Sequence, residues 1–551
     1  MKHVLTIAAF VFCTLNTALA QQSGTYITYI GGKAEFVDEW TITTEQDTIK
    51  TTSALGKPGA APSQRAVTIA VNHRPKSFVL LAGEKELIAA DFADAKLKLR
   101  VGGQPEQELP TEATMVLENL LWHQFVFLLD QYDEKKGGLQ KFVASLPSQA
   151  LDYPITVERV GTPAFQVGGA TIKSLRYRLV ANNTLSMDMW TDEARLPLVF
   201  HAAAQQLKVT RKGAEAFAEA ALADAPKPAG YRPPDYASSA SFAEQQVLIG
   251  AGTEWELRAT LTLPKGSGPF PAVILVHGSG PNDRDETLGP NKPFQDLAWG
   301  LGSQGIAVLR YDKRTLIYRG KVPPNLTVKE ETIDDALAGV ALLRMLAVVS
   351  SFPRTPQIDA KRIFVLGHSL GGMLVPRIGL ADNGAIAGFV IFAGATRPLE
   401  DEMVRQFEYI YGLDGDLTAA EQAAIDEYKK QAARIKQLTP ADTALNEVLL
   451  LAPPSYWLDL KGYSPPETAL KLKQPLLILQ GERDYNVTID SFRDWQQKLA
   501  KRTGTTFKSY PKLDHLFLEG TGPATPADYA QPRNIPKYVV DDIAAWIKKQ
   551  L

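Results

Sequence analysis

Hydrophobic and polar residues alternate along the first part of the chain. Between residues 24 and 110, short runs such as TYITYI, AVTIAV, SFVLLA and KLKLRV have period two and are separated by Gly, Pro, Asn and Asp. This alternation predicts antiparallel strands. Residues 113–133 interrupt it with apolar residues at helical spacing, which predicts a helix packed on the sheet. Further strand-like runs and a closing helix, AEAFAEAALAD, predict an α+β domain with a curved antiparallel sheet over residues 21–222.

The pattern changes beyond a proline-rich stretch at residues 223–235. ADAPKPAGYRPPD places four prolines among small and polar residues, which is typical of a linker. After it come near-continuous apolar runs, with helical stretches such as TIDDALAGVALLRML between them: PAVILVHGSG, IAVLRYD, RIFVLGHSLGG, AIAGFVIFAGA and QPLLILQGERD. Strands buried on both faces and alternating with helices predict a mostly parallel, doubly wound α/β fold over residues 236–551.

A long segment, about residues 398–472, separates two of these apolar runs. It contains helical periodicity with mixed charge, in LEDEMVRQFEYIYG and LTAAEQAAIDEYKKQAARIKQL. It is either an extra pair of solvated helices or a lid over the carboxyl edge of the sheet. Because ligands of such sheets bind at that edge, where the segment leaves the sheet, the position favours a lid.

Length and charge narrow the classes of protein. A chain of 551 residues exceeds the roughly 250–300 residues over which single cores grow, so two domains are expected. The chain is 45% hydrophobic and 22% charged with a formal net charge of −2. It therefore has no basic field for nucleic acid or an anionic membrane surface, and neither is an expected partner.

The first twenty residues resemble a secretory signal peptide. Lys2 is followed by an apolar run and by a small-residue A-L-A ending at Ala20, which predicts cleavage before Gln21. The apolar run is shorter than the roughly 20 residues that span a bilayer, so no integral span is expected in the mature chain. Cys13, the single cysteine, lies in this segment. The mature protein is therefore expected to be periplasmic or secreted, without disulfides or cysteine nucleophiles.

One serine stands in a candidate nucleophile motif. VLGHSLGGM, residues 365–373, places Gly367 and Gly371 two positions before and after Ser369, at the end of a predicted strand. A strand, a sharp turn and a helix would expose the hydroxyl in a strained backbone conformation that tolerates only very small neighbours. The alternative is an ordinary serine in a glycine-rich turn. The strand context favours the nucleophile.

A serine hydroxyl needs a base, and a histidine can take and return a proton near neutral pH. Of the seven histidines only His515 follows Ser369, just after the predicted last strand TTFKSYP. A lone histidine near a chain end is more often a surface residue. The chain order Ser, acid, His that this fold uses favours His515 as the base.

The acid that orients the histidine is expected beyond a buried strand. Asp484 follows LLILQGER and is the best candidate, with Glu482 and Asp490 as alternatives. Asp514 is adjacent to His515 in sequence, and adjacent side chains of an extended segment diverge, so it is expected to point elsewhere.

Two backbone donors are needed for the oxyanion of an acyl transfer. The N–H of Leu370, which follows the serine, is one candidate. The loop HGSGPNDRDE supplies the second, for which we select the N–H of Ser279, since Gly278 and Gly280 let the backbone turn closely. His277 is expected to support the loop. A metal role is not expected, and neither is a cofactor.

The motifs HGSGPNDRDE, RYDKR, GHSLGG, GERDYNV and LDHLF, in this order, resemble the α/β-hydrolase superfamily and its bacterial serine-esterase branch with the H-G-S-G-P-x-D-R-D-E loop. The resemblance covers about residues 240–551 and departs at RYDKRTLIYRG, where related proteins continue with glycines. It does not extend to residues 21–230. It implies triad roles for Ser369, Asp484 and His515, and oxyanion roles for Ser279 and Leu370.

These observations predict an exported serine-dependent carboxylic ester hydrolase that acts on a small-molecule ester through an acyl-enzyme. A serine peptidase similar to prolyl oligopeptidase is an alternative, although residues 21–230 lack the internal repeats of its propeller. A non-catalytic envelope binding protein is another. The preserved order of serine, aspartate and histidine argues against it.

Overall fold

The computed structural model describes residues 20–102, 105–149, 151–181, 185–205, 207–224, 230–318, 321, 323–348, 357–382, 384–415, 417–444 and 448–550. Contacts between residues divide the chain into two compact units, residues 1–225 and 226–551. The predicted signal peptide lies outside the described residues up to position 19, and so do residues 225–229 of the predicted linker.

The first unit is built on one large sheet. Its strands are β1 (Ala20–Ile30), β2 (Lys33–Glu45), β3 (Thr48–Gly56), β4 (Gln64–Val71), β5 (Arg74–Ala82), β6 (Lys85–Ala93), β7 (Lys96–Val101), β8 (Gln107–Pro110), β9 (Met115–Val116), β10 (Leu139–Leu146), β11 (Leu151–Gly161), β12 (Ala164–Val167), β13 (Ala170–Lys173), β14 (Leu175–Ala181), β15 (Leu185–Thr191), β16 (Pro197–Ala202) and β17 (Leu207–Arg211). Its helices are α1 (Phe125–Gln131) and α2 (Glu215–Asp224). Fifteen strands pair in the order β8-β7-β6-β5-β4-β3-β2-β1-β17-β16-β15-β14-β11-β10-β9, and β12 and β13 form a separate hairpin. Neighbours in the large sheet are antiparallel except β9 and β10, so the predicted antiparallel sheet is confirmed.

The helix predicted over residues 113–133 is mostly wrong. Only Phe125–Gln131 is α-helical, and Met115–Val116 pairs with β10 as a strand. Leu120 has a φ of +67°, which a right-handed helix cannot contain. Tertiary contacts decide this conformation, because Trp122 donates a hydrogen bond to Thr28 on β1 at 2.9 Å and packs within the core of the unit. Periodicity along the chain does not register such contacts.

The second unit contains an eight-stranded sheet. Its strands are β18 (Phe242–Ile249), β19 (Leu257–Pro264), β20 (Phe270–Val276), β21 (Ala307–Tyr311), β22 (Ile358–His368), β23 (Ile386–Phe392), β24 (Leu476–Gly481) and β25 (Thr505–Tyr510). Its helices are α3 (Pro293–Ser303), α4 (Arg314–Ile317), α5 (Asp334–Val348), α6 (Leu370–Ala381), α7 (Leu399–Tyr411), α8 (Ala419–Gln437), α9 (Pro454–Leu460), α10 (Pro465–Ala469), α11 (Ile489–Lys498) and α12 (Lys537–Lys549). The order is β18-β19-β21-β20-β22-β23-β24-β25, and every pair from β21 to β25 is parallel. The mostly parallel sheet is confirmed, with the five predicted apolar runs as β20 to β24.

The apolar runs are continuous because both faces of these strands are buried. On β20, Val273 and Leu275 pack in one core with residues of α3 and α12. Ile274 and Val276 pack on the opposite face, in a core shared with α5, α6 and α11. A strand covered by helices on both sides has no polar face, so alternation disappears from its sequence.

Among the described residues between β23 and β24 there are four α-helices, α7 to α10. Side chains from α7, α8 and α9 form a core with Leu370, Met373 and Leu374 at the start of α6. The insertion therefore packs directly over the first turn of the helix that follows Ser369. Within the described residues, no helix has both the length and the apolar character needed to cross a bilayer.

Candidate active site

Ser369 lies at the turn between β22 and α6. Its backbone has φ +53° and ψ −116°, a conformation that costs free energy in a residue with a side chain. The turn is held because the Ser369 N–H donates a hydrogen bond to the carbonyl oxygen of Phe392, at the end of β23, at 2.9 Å. The side chain is half-buried. A strained serine held at this point of a strand-turn-helix unit has the geometry of a nucleophile elbow.

The two glycines around Ser369 are required by close backbone contacts. A Cβ on Gly367 would lie 2.3 Å from the carbonyl oxygen of Gly371. A Cβ on Gly371 would lie 2.4 Å from the carbonyl oxygen of Val276 and 2.6 Å from that of His277. Backbone atoms cannot rotate away, so both positions accept only glycine. The G-x-S-x-G spacing is thus a packing requirement of the turn.

His515 lies beyond β25 and is paired with Asp484, which lies beyond β24. Nδ1 of His515 is 2.7 Å from Oδ2 of Asp484, and the Asp484 side chain is fully buried. Oδ1 of Asp484 accepts hydrogen bonds from the N–H groups of Asn486 and Val487, each at 2.8 Å, and Nε2 of Gln480 donates to Oδ2 at 3.1 Å. These hydrogen bonds fix the orientation of the carboxylate that pairs with His515.

The other carboxylates considered from the sequence have different partners. Glu482 is exposed and accepts a hydrogen bond from Ser509, and Asp490 is exposed beside two arginines. Asp514 accepts hydrogen bonds from the backbone N–H groups of Leu516 and Leu518, and burial raises its pKa to about 6. Of the four carboxylates, Asp484 is the one bound to His515.

Ser369 and His515 share no direct hydrogen bond among the described residues. The residue before Ser369 joins them instead: Nε2 of His368 lies 2.9 Å from the carbonyl oxygen of His515, and the two imidazole rings are 4.7 Å apart. In enzymes without substrate the bond between nucleophile and base is often long, and it tightens in the complex. Ser369 and His515 thus lie at the same edge of the sheet.

The loop after β20 adjoins Ser369. A Cβ on Gly278 would lie 3.1 Å from Cβ and 3.5 Å from Oγ of Ser369. Neither Ser279 nor Leu370 donates its backbone N–H to an acceptor within the described part of the chain. Gly280 has φ +84° and open space around it, which lets the loop turn. Both N–H groups can therefore donate hydrogen bonds to an oxygen atom that develops negative charge near Ser369.

His277 supports this loop by packing. Its ring is 5.0 Å from the ring of Phe294 and 5.0 Å from that of Tyr311. Burial lowers the pKa of His277 to about 4, so the ring is neutral at neutral pH. The described residues contain no cluster of three or more His, Cys, Asp or Glu side chains able to hold a metal ion.

Three buried charged residues of this region escaped the sequence reasoning. Oε1 of Glu286 accepts the Gly278 N–H at 2.7 Å, and Oε2 is 2.8 Å from Nδ1 of His368. Nζ of Lys313 donates to the carbonyl oxygen of Gly278 at 2.7 Å. Position was the available signal for two of them, since His368 ends the apolar run of β22 and Lys313 lies just beyond that of β21, where a buried charge is costly unless it has a partner. Glu286 lies at the end of the loop HGSGPNDRDE, ten positions beyond β20.

Known proteins resemble part of this chain. The profile of the Alpha/beta hydrolase family matches residues 273–531. The chain is 40% identical to Esterase EstD of Thermotoga maritima over 319 residues, which are 58% of this chain and 71% of that protein. It is 24% identical to Monoacylglycerol lipase of Mycolicibacterium smegmatis over 297 residues, which are 51% of this chain and 90% of that protein. The solved hyperthermophilic esterase of Pyrobaculum calidifontis has a TM-score of 0.36 and 18% identity, covering 56% of this chain and 85% of that one.

The relation to Esterase EstD extends over more than two thirds of that protein, and the family profile spans the sheet from β20 to β24 together with the loops that hold Ser369, Asp484 and His515. The chain belongs to the α/β-hydrolase family.

Proposed function

We propose that this protein is a serine-dependent carboxylic ester hydrolase of the branch with the H-G-S-G-P-x-D-R-D-E loop. The observation that carries the proposal is the 2.7 Å pairing of His515 with the fixed carboxylate of Asp484, at the same edge of the sheet as the strained Ser369. The chain order Ser, Asp, His agrees with that of the fold.

In the proposed reaction, Oγ of Ser369 attacks the ester carbonyl carbon while Nε2 of His515 takes its proton. Asp484 keeps the proton on Nδ1 and stabilises the imidazolium. The carbonyl oxygen becomes an oxyanion that accepts hydrogen bonds from the N–H groups of Ser279 and Leu370. The ester C–O bond then breaks, and His515 returns the proton to the departing alcohol. Water releases the acyl group by the same steps.

The proposed substrate is a small-molecule ester. Esterase EstD and Monoacylglycerol lipase are both named for the cleavage of carboxylic esters, which supports this choice of bond over an amide. The alignments cover 58% and 51% of this chain, and the family profile lies within the second unit, at residues 273–531. The reaction needs no metal and no organic cofactor in the proposed steps.

The helical insertion is proposed to act as a lid, and the protein is proposed to be exported. The core that α7, α8 and α9 share with Leu370 and Met373 supports the first proposal, because it places the insertion beside the nucleophile turn. The signal-peptide pattern supports the second. Amino-terminal sequencing of protein recovered from the periplasm or medium is expected to start at Gln21, whereas recovery from the cytoplasm alone would contradict export.

The test of the function is the release of nitrophenol from short-chain and long-chain nitrophenyl esters, with a proline-containing peptide amide in parallel. Ser369→Ala is expected to abolish ester turnover, and Ser509→Ala, at a surface serine, to change it less than about twofold. A fluorophosphonate probe is expected to label Ser369. Peptide cleavage would favour a peptidase. Absence of turnover and of labelling would favour a binding protein.

A further inference from the structure

The backbone of Gly278 is bound by two buried charged side chains. On one side the carbonyl oxygen of Gly278 accepts a hydrogen bond from Nζ of Lys313 at 2.7 Å. Within the same residue, the N–H of Gly278 donates to Oε1 of Glu286, also at 2.7 Å. The Lys313 side chain is 1% exposed and that of Glu286 is 7% exposed. Two ions are thus held out of water at one glycine, which costs free energy unless every partner is in place.

These contacts orient the N–H of Ser279, the proposed oxyanion donor. In a trans peptide the C=O and the following N–H point in opposite directions, so the Gly278 carbonyl position fixes the direction of the Ser279 N–H. Nδ2 of Asn282 lies 3.3, 3.0 and 3.4 Å from the carbonyl oxygens of Gly278, Ser279 and Gly280. The carbonyl groups of the loop therefore converge on Asn282 and Lys313, and the Ser279 N–H points away from both.

The Lys313 ammonium is connected to the helical insertion. Its Nζ lies 2.6 Å from Oε1 of Glu331, in a helical turn at Lys329–Ile333. The other carboxylate oxygen of Glu331 accepts a hydrogen bond from the hydroxyl of Tyr456 on α9, at 2.7 Å. Three buried side chains thus run from α9 to the Gly278 carbonyl, and each bond in this series involves a charged group and is strengthened by it.

We propose that Lys313 and Glu331 are positioning residues that set the orientation of the Gly278–Ser279 peptide, and that Tyr456 ties this orientation to the helical insertion. The proposal rests on the proposed function, because it concerns the oxyanion donor of that reaction. A buried ion pair contributes little net stability compared with well-packed apolar residues. Its placement at one particular carbonyl oxygen is explained by the direction that it gives to the Ser279 N–H.

The same elements provide a matched control. Arg314, the next residue along the chain, forms a second buried ion pair with Asp335 at the start of α5. This pair joins the same two segments as Lys313 and Glu331 and has no contact with Gly278 among the described residues. Its removal should disturb packing to a similar degree without changing the direction of the Ser279 N–H.

The experiment compares two double variants. Lys313→Met with Glu331→Gln removes both charges together, so no buried ion is left unpaired and the glutamine can still accept from Tyr456. We expect kcat for a nitrophenyl ester to fall about 10- to 100-fold with KM within about twofold, because the donor acts in the transition state. Arg314→Met with Asp335→Asn is expected to keep kcat within about threefold, with a change in melting temperature similar to that of the first variant.

A trifluoromethyl ketone separates oxyanion binding from general damage. Oγ of Ser369 adds to its carbonyl carbon, the serine proton passes to His515, and the oxygen becomes an oxyanion held like that of the reaction. Affinity for the ketone is expected to fall by the same factor as kcat in the Lys313/Glu331 variant, and to be retained in the Arg314/Asp335 variant. An equal loss in both variants would show a structural role and overturn the proposal.

Tyr456→Phe removes the single hydroxyl that connects α9 to Glu331, so it tests the part of the proposal that concerns the insertion. It is expected to lower kcat and ketone affinity together, about 2- to 10-fold, whereas Tyr236→Phe, which removes a hydroxyl bound to the Ile535 carbonyl, should change neither. If the Lys313/Glu331 variant does not fold, unchanged ketone affinity in Tyr456→Phe overturns the proposal. Turnover that survives in Ser369→Ala would instead refute the proposed function, and the ketone would then fail to inhibit.

Discussion

At the scale of single residues, the turn that carries Ser369 depends on the absence of a side chain at Gly371. Gly371→Ala would place a methyl group 2.4 Å from the Val276 carbonyl oxygen, and this strand cannot retreat without breaking its pairing. We expect the free energy of unfolding, measured in urea, to fall by about 1–3 kcal/mol, and esterase activity to fall strongly.

Gly412→Ala is the matched control for that substitution. Gly412 follows α7 with a φ of −80°, and a Cβ there would meet no atom within 4 Å. Its stability should be unchanged or slightly increased, because alanine restricts the unfolded chain. Equal effects of the two substitutions would contradict the packing explanation.

The pairing of Asp484 with His515 leads to a second prediction at this scale. In Asp484→Asn the remaining oxygen can still accept from the N–H groups of Asn486 and Val487, so the loop should keep its shape. The amide NH₂ would then face Nδ1 of His515 and favour the wrong tautomer. We expect kcat to fall on the order of 10⁴-fold. The melting temperature should fall only modestly, for the lost hydrogen bond from Gln480 to Oδ2. Glu482→Gln, at the exposed neighbour, should retain activity, and a similar loss there would refute the assignment.

At the scale of elements, an ion pair between Glu286 and His368 joins the loop after β20 to the end of β22. Burial alone would lower the pKa of His368, but the charge and hydrogen bond of Glu286, together with the His515 carbonyl and the charge of Asp484, raise it. Burial would raise the pKa of Glu286, but the charge of His368 lowers it. Each residue therefore keeps its partner charged.

The pair gives stability a defined pH dependence. The contribution of His368 is complete below the unfolded pKa of about 6.5 and is lost as pH rises through the raised folded pKa. That of Glu286 is complete above about 4.3 and is lost as pH falls through the lowered folded pKa. The difference in melting temperature between wild type and Glu286→Gln should thus be largest between about pH 4.3 and 6.5 and shrink towards pH 9. A difference in melting temperature that does not change with pH would contradict a charged Glu286–His368 pair.

At the scale of the whole molecule, each unit has its own sheet and core, and the second unit begins before its first strand. The hydroxyl of Tyr231 donates to the buried carboxylate of Asp296 at 2.8 Å, and Asn534 donates to the carbonyl oxygen of Arg232 at 2.8 Å. Tyr231 and Arg232 lie in the segment 223–235 that was predicted as a linker. They are structural parts of the second unit.

Two fragments test this boundary. Residues 230–551 and residues 236–551 are both expected to fold with a cooperative thermal transition, because the sheet is complete in each. The shorter fragment leaves Asp296 without its tyrosine partner and should melt several degrees lower, since one lost hydrogen bond to a buried carboxylate costs about 1–3 kcal/mol. Equal melting temperatures in differential scanning calorimetry would show that Tyr231 and Arg232 contribute nothing.

Local sequence was sufficient for the features that depend on neighbouring residues. The apolar runs identified β20 to β24, because burial on both faces leaves a trace in the composition of each strand. The spacing of Gly367, Ser369 and Gly371 predicted the strained turn, because the clash that excludes side chains arises within one strand-turn-helix unit and its adjacent strand. The helix prediction for residues 113–133 was wrong for the opposite reason, since their conformation follows from contacts with strands distant in sequence.

The sequence by itself therefore determined the α/β character of the second unit, the candidate nucleophile and its histidine. Only the tertiary structure decided which carboxylate meets His515 and which charges surround Gly278. Glu482 and Asp490 remained alternatives to Asp484 from the sequence, but in the structure both are exposed with other partners, whereas Asp484 is buried against His515. Tyr456 reaches Glu331 across 125 positions. Such pairings are set by the parallel order of the strands, which brings their carboxyl ends to one edge, and residue spacing carries no record of that order.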